Sequence, residues 1–144
     1  MSPRYLGQLK TEVGAIGIGA MSFTDFYGKT TEDQSQSILS TAMELGVNHI
    51  DTSDIYGKGL SEERIGLFLK RSPVAKNFFK IATKGGIEID EAGNSRFNNS
   101  REYMTAALDK SLKRLGVEQI ELYYIHRREE GRPIEEVTET LKSF

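Results

Sequence analysis

The order of elements along this chain predicts an α/β fold, a parallel (β/α)8 barrel of the TIM type. Its first four βα units follow an N-terminal β-hairpin. Three observations carry that expectation. After residue 13, strand-like and helix-like segments alternate strictly, which implies right-handed βαβ crossovers and a parallel sheet. Three successive strands end in a titratable side chain, Asp51, Lys84 and His126, and barrels gather catalytic groups at strand C-termini. Finally, an open dinucleotide-binding sheet would carry GxGxxG after its first strand. The chain offers Gly14-Ala15-Ile16-Gly17-Ile18-Gly19, which is GxxGxG, and counted from Gly17 the third glycine would fall at Ser22.

In chain order, residues 1–13 read as a short hairpin in which Leu6 and Leu9 flank a two-residue Gly7-Gln8 turn of type II′. Ala15–Gly19 is a short buried strand, and Met21–Lys29 is loop. Thr31 and Gln34 form a capping box, opening a helix that runs to Leu45 and stops at Gly46. Its buried stripe is Ser35, Ile38, Leu39, Ala42 and Met43. Val47–Thr52 is the next strand. Ser61 caps a helix to about Lys70 that carries Ile65, Phe68 and Leu69 inward. Phe79–Lys84 is a third strand, followed by a polar loop from Glu88 to Asn98 with a surface turn or a lid in it. Asn99 with Glu102 caps a helix that buries Tyr103, Ala107, Leu112 and Leu115 and ends at Gly116. Ile120–His126 is the fourth strand. Pro133 then opens a helix with Ile134, Val137, Leu141 and Phe144 on one face.

With 38% hydrophobic and 28% charged residues, the chain is a globular sequence rather than a disordered one. A formal charge of −2 with both signs interspersed gives no footprint for nucleic acid. There is no apolar run of bilayer length and no signal-peptide pattern in MSPRYLGQLK, and cysteine is absent, so a cytoplasmic setting is expected. Two histidines without HExxH spacing argue against a metal site. Barrels of this type take about 250 residues. Residues 14–144 would therefore supply four βα units, with the C-terminal half absent. Such a half exposes two strand edges and an apolar inner face. The expectation is a truncated chain, or one that closes with a copy of itself or with the missing half.

Strand parity sharpens the site. Side chains alternate faces along a strand, so Val47, His49 and Asp51 share one face. Lys80, Ala82 and Lys84 do likewise on the third strand, as do Leu122, Tyr124 and His126 on the fourth. The outermost member of each set is titratable, and Tyr56 follows Asp51 by five residues. Singly, these are a solvated lysine, a turn-capping aspartate and a half-buried histidine; together at three consecutive strand ends they suit proton transfer to a carbonyl oxygen. A phenol is a weak acid at neutral pH, and an adjacent ammonium favours its phenolate. Tyr56 is therefore the expected donor, Lys84 its activator and Asp51 the group that orients Lys84. His126 would hydrogen-bond the developing alkoxide.

These residues carry a resemblance. VNHIDTSDIYG at 47–57, SEERIG at 61–66, ATKGG at 82–86 and LYYIHR at 122–127, with GIGAMSF at 17–23, resemble the aldo-keto reductase family over essentially the whole chain. The resemblance implies NADP(H)-dependent reduction of aldehydes or ketones on a (β/α)8 barrel without metal, and catalytic roles for Asp51, Tyr56, Lys84 and His126. It also implies that Gly19, Ala20 and Met21 lie against the nicotinamide with Asp51 close by. The phosphate contacts of the family come mainly from its seventh and eighth βα loops, beyond Phe144, so weak NADP(H) binding by these residues alone is expected. Phe23, Phe26 and Tyr27 in the first βα loop are candidates either to line an apolar substrate pocket, together with His126, or simply to pack. His49 reads as barrel interior, and Arg127–Glu130 as a solvated charge run. The alternatives are a regulatory, channel-subunit-like member of the same fold and an inactive fragment.

Overall fold

A computed structural model describes residues 4–8 and 10–144. The chain opens with an antiparallel hairpin of β1 (Arg4–Leu6) and β2 (Thr11–Val13). It continues through β3 (Gly17–Gly19), α1 (Glu32–Glu44), β4 (His49–Asp51), α2 (Leu60–Arg71), a short α3 (Pro73–Phe78) and β5 (Lys80–Gly85). A second hairpin, β6 (Ile87–Ile89) and β7 (Ser95–Phe97), precedes α4 (Arg101–Leu115), β8 (Leu122–Ile125) and α5 (Ile134–Lys142). Strands β3, β4, β5 and β8 form one parallel sheet in that order. Helices alternate with these strands, so the fold is a partial (β/α) barrel. Among the described residues the sheet does not close, and β3 and β8 are its edges.

The alternation of side chains divides the sheet as parity requires. Ile50 and Ile81 face the helices and join Ala20, Phe23, Leu39, Ala42, Ile65, Leu69, Ala75, Phe79 and Leu115 in one buried cluster. The opposite face carries Gly19, His49, Asp51, Ala82, Lys84 and Tyr124, and that is where the polar groups collect. Helix α2 is the pivot of the packing. It comes so close to α4 that a methyl on Gly66 would lie 2.0 Å from the Arg114 carbonyl oxygen. Beside that contact Glu62 is fully buried, accepting from Thr83 Oγ1 at 2.5 Å and from Arg114 Nε at 2.7 Å. A buried carboxylate needs such partners to offset its desolvation.

Several elements depart from the expected pattern. In the first hairpin Leu6 pairs with Thr11, so the connection is four residues long, with Gly7 and Lys10 at φ +57° and +51°, and not a two-residue turn. Leu9 lies outside the described residues. The capping box of α1 forms, Thr31 and Gln34 each reaching the other's backbone, but Ile38 stays 42% exposed and outside the buried stripe. Ser61 does not cap α2. The left-handed run Gly57-Lys58-Gly59 turns the chain directly into the helix, leaving the Ser61 hydroxyl buried against Ala20 O and Thr52 Oγ1, both at 2.8 Å. Helix α3 was not expected; Pro73 starts it, its missing N–H being one a first turn leaves unused. The polar stretch 88–98 is the β6–β7 hairpin, with Gly93 at φ +87° in its turn.

Ser100, rather than Asn99, caps α4 by accepting from Tyr103 N at 3.3 Å. Asn99 is fully buried and ties α4 to the segment after β8, donating to Arg127 O (3.1 Å) and accepting from Glu129 N (2.8 Å). Helix α4 buries Met104, Ala107, Ser111 and Leu115, with Tyr103 and Leu112 half-buried. On α5, Val137 and Thr140 turn inward while Ile134 and Phe144 remain about half exposed. Among the described residues no helix is long and apolar enough to cross a membrane.

Candidate active site

The register of the sheet sets the height of each polar side chain. Gly19, Asp51 and Ala82 stand level on β3, β4 and β5, and Lys84 stands level with Tyr124 one pleat further along. A short side chain at position 84 would therefore stop short of Asp51, whereas a lysine stem spans the step. The loop after β4 continues the ladder, with Thr52 N bonded to Ala82 O (2.9 Å) and Asp54 N to Lys84 O (3.2 Å). It then tightens into a 3-10 turn at Tyr56–Gly59, with Gly57 at φ +59°. A side chain on Gly57 would meet the Thr24 methyl at 2.8 Å, so this turn is held both by conformation and by space.

The result is a connected set. The Lys84 ammonium donates to Asp51 Oδ1, to Thr52 O at 2.8 Å and to Tyr56 OH at 3.2 Å. Those are its three N–H bonds, each with one acceptor. The imidazole of His126, just beyond β8, stands edge to face with Tyr56 at 5.7 Å between ring centroids. Its backbone N–H donates to Gly85 O at 2.7 Å. Its Nδ1 lies 2.9 Å from Ser53 Oγ, and Ser53 is fully buried. Burial lowers the His126 pKa, and the Lys84 and Arg127 charges push it the same way against Asp51, which favours the neutral ring. Next to Ser53, Asp54 is pushed up to about 6, chiefly by burial and further by Glu62. The nearby Ser53 hydroxyl, 3.1 Å away, and the charge of Arg114 oppose that rise.

Of the residues singled out from sequence, the structure brings Asp51, Tyr56, Lys84 and His126 together on one rim. Gly19 lies beside Asp51 with nothing within 4 Å of where a side chain would begin, a bare patch of main chain on which a planar ring could rest. Met21 is half-buried on the same segment. Ala20 is different: it is wholly buried in the core and its carbonyl is taken by Ser61, so it offers no surface to a ligand. Phe23 is also wholly buried, its carbonyl bonded by Arg64, and is a core residue rather than a pocket wall. Aromatic residues in a loop turn inward when a hydrophobic cluster lies beneath them. Phe26 and Tyr27 are exposed and pack edge to face at 4.9 Å on each other. His49 Nδ1 meets Lys80 O at 3.0 Å, an interior structural bond. Sequence reasoning missed Ser53 and Thr52, both fully buried beneath the tetrad. Ser53 lies past the strand end, where alternation no longer tells which way a side chain points, while Thr52 ends the expected strand on the helix-facing side, away from Asp51.

The model of the aldo/keto reductase family matches residues 15–144. An aldo-keto reductase of Schizosaccharomyces pombe, named with NADP(+), is 44% identical over 131 residues, covering 90% of this chain and 38% of the relative. The L-glyceraldehyde 3-phosphate reductase of Escherichia coli is 33% identical over 98% of this chain and 41% of its own length. Among solved structures, the holo form of an aldo-keto reductase from Bacillus halodurans superposes with a TM-score of 0.86 at 31% identity. That match covers 99% of this chain and 46% of the other. The chain thus spans about two-fifths of the length of the curated relatives it matches.

Proposed function

Because the chain belongs to the aldo/keto reductase family, we propose that its protein reduces aldehydes or ketones to alcohols with NADP(H), Tyr56 being the proton donor. The observation that carries this reading is the Lys84 ammonium, which touches Asp51, Thr52 O and the Tyr56 hydroxyl at once. For the cofactor, support comes from the NADP(+) in the name of the fission-yeast relative and from the holo form of the Bacillus structure. The bare Gly19 main chain beside Asp51, with Met21 following, is the part of this chain that fits a nicotinamide ring. When bound, the reduced nicotinamide supplies hydride to the carbonyl carbon.

The chain's own residues then handle the proton and the charge. A carbonyl oxygen between Tyr56 and His126 gains negative charge as its carbon is reduced. Tyr56 passes its phenolic proton to that oxygen, and the alcohol forms. The phenolate left behind is stabilised by Lys84, the donor already at 3.2 Å, and regains a proton from solvent. His126 donates a hydrogen bond to the same oxygen and fixes its orientation. Asp51 holds Lys84 in place. Residues 14–144 then act as the first four units of the barrel, with further units covering the two open sheet edges and holding the cofactor's phosphates.

Replacing Tyr56 by Phe in the intact protein tests this. Reduction of a panel of small aldehydes should fall by about a hundred- to ten-thousand-fold. NADPH affinity, read by fluorescence titration, should move by no more than a few-fold. Full activity in Tyr56→Phe would end the reading.

A further inference from the structure

The neutral imidazole of His126 carries one proton on one of two ring nitrogens, and the partner of the other nitrogen decides which. That partner is Ser53. Its hydroxyl has one proton to give and three acceptors near it: His126 Nδ1 at 2.9 Å, Asp54 Oδ1 at 3.1 Å and Lys84 O at 3.3 Å. Hydrogen bonds from a hydroxyl to oxygen fall at about 2.5–3.0 Å, so both oxygens lie beyond the usual range and the ring nitrogen does not. The remaining neighbour, Ile55 N–H at 3.4 Å, is a donor and uses the oxygen's acceptor side. That leaves the hydroxyl proton one well-placed acceptor, the ring nitrogen, and full burial keeps water from replacing it.

We propose that Ser53 is a positioning residue that sets the tautomer of His126, donating to Nδ1 so that the ring proton sits on Nε2. This inference rests on the reductase reading, in which His126 must donate to the carbonyl oxygen. The reverse arrangement, with Nδ1–H donating to Ser53 and the hydroxyl proton passing to Asp54, leaves a lone pair on Nε2. A lone pair would repel the oxygen it is meant to hold. Nothing else among the described residues bonds Nδ1.

The test reads the tautomer directly. Long-range 15N–1H spectra of the labelled intact protein give one pattern per imidazole, and the His126 pattern is the one that disappears in a His126→Gln variant. Wild-type His126 should show the Nε2–H form at neutral pH. Ser53→Ala should populate the Nδ1–H form, and Ser53→Thr, which keeps the hydroxyl, should restore the original pattern. In turnover, Ser53→Ala should lower kcat/KM by about tenfold, the worth of one hydrogen bond, with NADPH affinity unchanged. A wild-type spectrum already showing Nδ1–H, or a Ser53→Ala spectrum identical to wild type, overturns the assignment. The wild-type spectrum decides even if the variant does not fold. If the tautomer behaves as stated while Tyr56→Phe stays fully active, the assignment stands and the reductase reading falls.

Discussion

Burial, helped by the Glu62 carboxylate, raises the Asp54 carboxyl from its ordinary 3.8 to about 6. Between those values the folded protein binds a proton that the unfolded chain has released. This group's contribution to stability therefore declines as pH rises from about 4 to 6, and the loss is complete above it. Asp54→Asn should accordingly stabilise the fold by roughly 2–3 kcal/mol at pH 8, and the gain should vanish below about pH 4. Urea denaturation at the two pH values checks this, and a gain that does not shrink in acid would refute it. His126 works in the opposite sense. Its lowered pKa means the unfolded chain protonates first as pH falls through about 6.5, so its contribution is present above that and lost in acid. At this scale the tetrad was legible because three of its members end strands and alternation aims them to one face. Ser53 was not, since its direction depends on a turn whose geometry is fixed by distant contacts such as Gly57 against Thr24.

The elements were legible where a local signal decides them and misplaced where packing does. The Thr31–Gln34 box reads directly from four residues and forms as expected. Ser61 carries an equally good cap signal, yet the helix begins before it because two left-handed glycines, Gly57 and Gly59, deliver the chain there. Glu62 in the same segment looks like a first-turn acid but is swallowed by the α2–α4 contact, where Arg114 and Thr83 satisfy it. That contact also makes a prediction about helix approach. Gly66→Ala would set a methyl 2.0 Å from a backbone oxygen on α4, which no side-chain rotation relieves. The two helices must separate, costing roughly 3 kcal/mol or more. Thermal unfolding should show a drop of several degrees or failure to fold, and an unchanged midpoint would contradict the close packing.

At the scale of the whole molecule, the four βα units and their order could be read from alternation alone, whereas closure could not, because it depends on strands that must pair with β3 and β8. Among the described residues those two strands each present one unpaired edge, and Tyr124 on the inner face is 41% exposed. Open edges and uncovered apolar surface favour association. The 144 residues studied by themselves should therefore form oligomers in sedimentation experiments and bind a hydrophobic dye. A dye-silent monomer would mean that the inner face is covered in some other way. The way Lys84 is held has a consequence for the proposed chemistry. Free lysine amines condense with aldehydes to give Schiff bases, and a site that handles aldehydes would be poisoned by such an adduct. Here every N–H bond of the nitrogen is already engaged, by Asp51, Thr52 and Tyr56. An ammonium with all three protons donated presents no lone pair, so the contacts that place Lys84 beside the Tyr56 hydroxyl would, under the proposed reading, also keep it from condensing with an aldehyde.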